Sequence, residues 1–180
     1  EYLNAYNISL ARGKEVAEVL PDTKQIRYRE GETEDYDKLL IATGAHPQLP
    51  TIDGLQGEDI YTFRTFTDYK KIKNALCEKQ HVAVYGAGLV AVEMAEKLTY
   101  AGYKVTIIAR SSLLRKYFNT TTVEKIKNSF ESRGVSVLYN SPIASVGRKS
   151  GQIEMSLGSG KTVLADVLVI ATGVTPSLVG

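Results

Sequence analysis

The sequence predicts an α/β fold with a central parallel sheet and a β-meander beside it. Three observations carry that expectation. From about residue 66 onward, strand-length apolar runs alternate with helix-length amphipathic runs. The segment Asp37-Lys-Leu-Leu-Ile-Ala-Thr-Gly44 recurs as Asp166-Val-Leu-Val-Ile-Ala-Thr-Gly173, with a proline three residues after each copy (Pro47, Pro176). A glycine turn, Gly86-Ala-Gly88, stands directly between an apolar strand and a helix.

In chain order, Ile8–Arg12, Val16–Leu20 and Gln25–Arg29 are short extended runs parted by Arg-Gly-Lys and Pro-Asp-Thr, and read as strands of a β-meander. The acidic cluster Glu32, Glu34, Asp35 and Asp37 reads as a solvated hairpin tip. Each Ala-Thr-Gly copy reads as a buried strand ending in a small-residue turn. Residues 45 to 61, holding Pro47, Pro50, Gly54 and Gly57, form a connector. Thr67-Asp68 resembles a helix N-cap before Tyr69–Glu78. A strand at His81–Tyr85 follows, then a helix at Leu89–Tyr100 stopped by Gly102, a strand at Lys104–Ala109, a helix from about Thr122 to Ser132, and a strand at Val135–Tyr139. Gln152–Leu157 and Lys161–Val163 form a hairpin around Gly158-Ser-Gly160 ahead of the second copy.

Gly86, Gly88 and Ala91 compose G-x-G-x-x-A. Binding a diphosphate through backbone needs a tight turn, room for close approach and a helix N-terminus aimed at the charge. Gly86 supplies the turn, Gly88 the room, and Ala91 lets the helix lie close on the strand. Leu89 and Val90 open that helix. In this strand–turn–helix setting the pattern is the fingerprint of a Rossmann-like dinucleotide-binding domain. Glu93 follows within the first half of an otherwise apolar helical stretch. Where the second strand ends, about 20 residues past the glycines, a carboxylate commonly binds the ribose 2′-hydroxyl of NAD. Here Ala109 stands in that place, with Arg110 and Arg115 close by in sequence. Alanine does not repel a 2′-phosphate, and guanidinium groups pair well with one. NADP(H) is therefore favoured, with NAD(H) the alternative.

The 180 residues carry 43% apolar and 23% charged side chains and a net charge of +2, which fits a globular protein and argues against nucleic-acid or anionic-membrane binding. No stretch spans a bilayer and no secretion signal is visible, so a cytoplasmic setting is expected. Cys77 is the single cysteine, which excludes an internal disulfide or a C-x-x-C pair. His46 and His81, the two histidines, read as structural, and no metal site is expected. The opening Glu1 in place of a methionine fits a fragment of a longer chain.

Tyr36 to Pro47, Pro50-Thr-Ile-Asp-Gly54, Phe63-Arg-Thr-Phe-Thr-Asp68 and Gly86 to Ala95 together resemble the FAD-dependent pyridine nucleotide-disulfide oxidoreductase superfamily. The branch is the one holding NADH oxidases, rubredoxin and ferredoxin reductases, and CoA-disulfide reductases. The resemblance covers almost the whole chain. It implies that residues 1–65 are part of an FAD-binding domain and that 66–180 are an inserted NAD(P)-binding domain. It further implies that Val16 contacts the adenine end of FAD through its backbone and that Arg64 lies on the flavin side. Gly173 would approach the nicotinamide nucleotide, and Glu93 its carboxamide. Residues 1–65 should pack incompletely, because the family's N-terminal G-x-G-x-x-G, which holds the FAD diphosphate, is absent. No catalytic residue is expected in this stretch, and Leu89 takes the place of the aromatic gate that many members carry. The implied activity is hydride transfer from nicotinamide to flavin, then electron transfer to oxygen, rubredoxin or ferredoxin, or a small disulfide. The resemblance also allows a homodimer of the full-length protein. The alternative is a non-catalytic NAD(P)-binding module.

Overall fold

The structure is a computed structural model that describes residues 2–77 and 80–178. The chain forms two compact units: residues 1–45 with 176–180, and residues 46–175.

In the first unit a one-turn helix, α1 (Tyr2–Ala5), precedes an antiparallel sheet of β1 (Val16–Leu20), β2 (Gln25–Tyr28) and β3 (Thr33–Asp35), in that order. The acidic cluster is a hairpin tip only in part: Glu34 and Asp35 lie in the third strand, while Glu32 borders the hairpin turn and Asp37 follows the strand. Its carboxylates are fixed by cross-strand partners: Glu32 accepts from Lys14 Nζ at 2.5 Å, Glu34 from the Tyr28 hydroxyl, and Asp35 from Gln25 Nε2 at 2.7 Å. Ile8–Arg12 is not a strand, and Ile8 and Leu10 are exposed. The first repeat copy is not a strand either: Leu39, Leu40 and Ile41 lie in irregular backbone, and Leu40 is 89% exposed. The incomplete packing expected of residues 1–65 does not extend to 46–65, which belong to the second unit, where Ile52, Leu55 and Ile60 pack on its core. Two short strands, β4 (Ala45–Pro47) and β13 (Val174–Pro176), lie where the chain passes between units.

The second unit holds a parallel sheet of β5 (Ile60–Thr62), β12 (Val167–Ile170), β6 (His81–Tyr85), β7 (Lys104–Ile108) and β8 (Ser136–Leu138), side by side in that order. Successive side chains of a strand point to opposite faces, so the inner strands must be apolar throughout to be covered on both sides. Val82, Val84, Val105, Ile107, Val167 and Val169 face a helical layer of α2 (Phe66–Ala75), α3 (Leu89–Tyr100) and α4 (Thr120–Glu131). Ala83, Tyr85, Ile108, Leu168 and Ile170 face the opposite layer. That layer is an antiparallel meander of β9 (Ile143–Lys149), β10 (Gln152–Leu157) and β11 (Thr162–Ala165), which presents Ile153, Met155 and Leu157. The expected α/β fold with parallel sheet and meander is the one observed.

Helix boundaries follow their caps. The N-cap of α2 is Thr65, not Thr67-Asp68: the Thr65 side chain accepts from Asp68 N at 3.1 Å, while Asp68 Oδ2 accepts from Thr65 N at 2.7 Å. This reciprocal pair is a capping box, and the backbone amide of Thr65 holds the Asp68 carboxyl below its usual range. The expected end of this helix at Glu78 lies outside the described residues. Asn119 caps α4 by accepting from Thr122 N at 2.9 Å, so this helix starts earlier than expected.

Candidate dinucleotide-binding site

The carboxyl ends of parallel strands are where α/β sheets bind ligands. At that edge of the second unit lies a cleft of about 570 Å³. Its floor is the turn Gly86-Ala87-Gly88 between β6 and α3; one wall is the segment Arg110–Tyr117 after β7, and the other is Ile170–Val174 after β12 with Pro47, Gln48 and Pro50 of the connector.

Each glycine of the turn has a different job. A Cβ on Gly86 would stand 2.2 Å from the Ala171 carbonyl oxygen, so glycine is required here by the neighbouring strand end. A Cβ on Gly88 would meet nothing within 4 Å. Gly88 is the N-cap of α3 with no side-chain cap, so the first amides of that helix face the cleft without a side-chain acceptor among the described residues. Ala91 is fully buried in the helix–sheet core, as close packing requires. The turn is held by Gly86 N donating to the Ile108 carbonyl at 3.0 Å and Leu114 N donating to the Ala87 carbonyl at 2.7 Å.

Arg110, Arg115 and Lys116 all line the cleft, all are exposed, and none forms an ion pair among the described residues. No carboxylate is among the lining residues. The cleft is therefore cationic, with helix-dipole and side-chain charge of the same sign. Opposite, Gly173 is held where its carbonyl accepts from Gln48 N at 2.9 Å and Thr172 Oγ1 donates to the Gln48 carbonyl at 2.6 Å.

Of the residues singled out in the sequence, Gly86, Gly88, Leu89, Val90, Arg110, Arg115 and Gly173 come together on this one cleft. Ala109 does not line it: the residue is fully buried in the core, its N–H and C=O bonded to Leu138 and Ser141. Glu93 points away, into a groove of about 460 Å³ between α2 and α3 that shares Phe63 and Val90 with the cleft. Arg64 precedes the α2 cap, its N–H donating to Asp68 Oδ2 at 3.0 Å. Val16 is on β1 of the other unit. Sequence reasoning missed Ser111, Lys116 and Tyr117, which are loop residues without a periodic signal, and Gln48, whose place depends on the connector folding back. Among the described residues no group of His, Cys, Asp or Glu could hold a metal, and no helix is long and apolar enough to cross a membrane.

A glycine turn at a helix N-terminus, at the carboxyl edge of a parallel sheet, defines a dinucleotide-binding α/β domain. Residues 3–180 match the family model described as pyridine nucleotide-disulphide oxidoreductase, and the chain belongs to that family. It is 34% identical over 158 residues to the NADH-dependent phenylglyoxylate dehydrogenase subunit epsilon of Aromatoleum evansii, covering 87% of this chain and 38% of that protein. Among solved structures, it is similar to the water-forming NADH oxidase of Lactobacillus brevis bound to NADH, with a TM-score of 0.81 and 22% identity over 89% of this chain and 37% of that one. An engineered water-forming NADPH oxidase made from that enzyme and bound to NADPH matches with a TM-score of 0.86 and 24% identity, over 97% of this chain and 40% of that one. The chain thus spans about two fifths of the length of these proteins.

Proposed function

We propose that this chain is the NADP(H)-binding part of an FAD-dependent NAD(P)H oxidoreductase, with residues 1–45 belonging to its FAD-binding domain and the unit of residues 46–175 forming its NAD(P)-binding domain. The carrying observation is the cleft in which a glycine turn and three unpaired cations stand together without a carboxylate. The turn and the first amides of α3 hold the diphosphate. Arg110 and Arg115, joined by Ser111 and Lys116, hold the 2′-phosphate. Gly173 borders the nicotinamide ribose. Glu93 orients the carboxamide where the cofactor passes Val90 into the neighbouring groove.

A pattern of substitutions supports the choice of NADP(H). The engineered NADPH oxidase has a glycine replaced by alanine and, eighteen positions on, three consecutive residues replaced by alanine, arginine and serine. Five positions after that serine, a proline is replaced by arginine. This chain carries Ala91, then Ala109-Arg110-Ser111 at the same spacing, then Lys116 at the position of the last arginine. Ala109 lies in the core, and Arg110, Ser111 and Lys116 are the members of this pattern that line the cleft.

Bound nicotinamide supplies the hydride, and the chain supplies binding and orientation. Residues 1–65 contain no G-x-G-x-x-G to hold the FAD diphosphate, and Val16 and Arg64 are the positions of this chain that would contact FAD. The acceptor is oxygen, rubredoxin or ferredoxin, or a small disulfide. The test is separate titration of NADPH and NADH against wild type and Arg110→Ala. Tighter NADPH binding in wild type, lost selectively in the variant, is expected; equal affinities in wild type refute the NADP(H) assignment. The oxidoreductase assignment is tested on the longer protein, where absence of flavin absorbance refutes it.

A further inference from the structure

The segment carrying Arg115 and Lys116 begins at an unusual residue. Leu114 has φ +49°, a left-handed conformation that a branched side chain rarely adopts. Such a conformation persists only when the surroundings over-determine it, and here they do. The Leu114 side chain is 4% exposed, next to fully buried Leu113, and both belong to the core beneath α3 and α4. Its N–H donates to the Ala87 carbonyl at 2.7 Å, in the middle of the glycine turn. Its own carbonyl accepts from Tyr117 N at 2.8 Å and Phe118 N at 3.1 Å, which closes the turn that presents Arg115 and Lys116. One residue therefore ties the turn beneath the diphosphate to the basic segment, with its side chain as the anchor.

We propose that Leu114 is a positioning residue: it fixes the basic segment relative to the glycine turn, and so sets the preference for a dinucleotide bearing a 2′-phosphate. This rests on the NADP(H) assignment above. Two anionic groups of a single ligand are recognised together only if their two sites are held at a matching separation. Fixing that separation before binding avoids paying for loop ordering on binding. Exposed Arg115 and Lys116 have no ion pairs of their own to hold them, so the backbone that carries them must be held instead.

The experiment uses two probes that differ only in the group at issue, ADP-ribose and 2′-phospho-ADP-ribose, titrated against wild type, Leu114→Ala and Leu114→Met. Leu114→Ala keeps the N–H but removes the anchor; Leu114→Met keeps most of the buried volume. The expected result is that the ratio of the two affinities falls by about tenfold in Leu114→Ala, with ADP-ribose affinity nearly unchanged and the ratio restored in Leu114→Met. A wild-type ratio near one overturns the NADP(H) assignment itself. A wild-type preference that survives in Leu114→Ala overturns the role of Leu114 and leaves that assignment standing, and so does equal loss of both probes. Should Leu114→Ala fail to fold, amide exchange at Leu114 in wild type decides. Greater slowing by 2′-phospho-ADP-ribose than by ADP-ribose is expected, and equal slowing overturns the proposal.

Discussion

The two copies of the Ala-Thr-Gly segment share a sequence pattern but not a structure. Asp166–Gly173 supplies β12, whose Val167, Leu168 and Val169 are fully buried between β5 and β6. Asp37–Gly44 forms no strand, and its Leu39, Leu40 and Ile41 are 38%, 89% and 56% exposed. Hydrophobic pattern and strand propensity are alike, so the difference lies in what surrounds each copy. A strand needs neighbours to satisfy its amides and carbonyls, and β12 has one on each side. Its carboxyl end then becomes a wall of the candidate cleft. The first copy carries the same residues, Thr43 and Gly44 included, but no strand flanks it in a sheet among the described residues.

The largest expected difference between the copies is in stability. Leu168→Ala should cost the second unit about 2–5 kcal/mol, through lost burial and the cavity left behind. Leu40→Ala should change the stability of this chain by no more than about 0.5 kcal/mol, as at other exposed sites. Denaturant unfolding followed by circular dichroism measures both. An equal loss at the two positions would contradict the account, and a loss at Leu40 that appears only in a longer form of the protein would sharpen it.

A smaller effect separates the acidic residues that open the copies. Asp166 accepts from Gln80 N at 3.0 Å, His81 N at 2.9 Å and Gln152 Nε2 at 2.9 Å, clamping the start of β6 beside β12. Asp37 is exposed and has no such contact among the described residues. Removing a carboxylate that serves several donors leaves them without a partner, so Asp166→Ala should lower stability by about 1–3 kcal/mol. Asp37→Ala should be close to neutral, and the same unfolding curves decide.

The smallest effect is a pH dependence in the surroundings of the second copy. His81, half-buried beside Asp166, shares a hydrogen bond between Nε2 and buried Thr106 Oγ1 at 2.9 Å. Burial, then the charge of Lys104, pushes its imidazole below the ordinary 6.5, with Asp166 pulling the other way. The unfolded chain therefore binds the proton more tightly than the folded one. The stabilisation of the neutral form is complete above about pH 6.5 and is lost as the pH falls through the lowered value. Melting temperature should drop on acidification through that range, and His81→Gln should remove the part of the drop that belongs to this group. An unchanged profile in the variant would assign the drop elsewhere.

Sequence legibility follows the same line between local and borrowed structure. The strand–turn–helix from His81 to Tyr100 was readable residue by residue, because its apolar period, glycines and helix stop are all local. The α2 start was misplaced because Thr67-Asp68 looks like a cap, whereas the reciprocal bonds join Thr65 and Asp68. The third strand of the first unit is not legible in the sequence because its Glu34 and Asp35 are steadied by Tyr28 and Gln25 rather than by burial. At the site, the glycines, Arg110 and Arg115 were visible from spacing. Spacing does not give direction, however: Ala109 turns into the core and Glu93 into the neighbouring groove. Lys116 and Leu114 needed the folded loop, since one is an unremarkable surface cation and the other an ordinary leucine until its φ is known.

The proposed function stands on recognition of a 2′-phosphate in the cleft beside β12 by Arg110, Arg115 and Lys116. The most direct measurement is calorimetric titration of 2′-phospho-ADP-ribose and of ADP-ribose against the wild-type chain at low and moderate salt. A charge-assisted contact of this type contributes roughly 1.5–3 kcal/mol, so the phosphorylated ligand should bind about ten- to a hundred-fold tighter at low salt, with the margin narrowing as salt rises. Equal affinities at low salt, or a margin indifferent to salt, would contradict it.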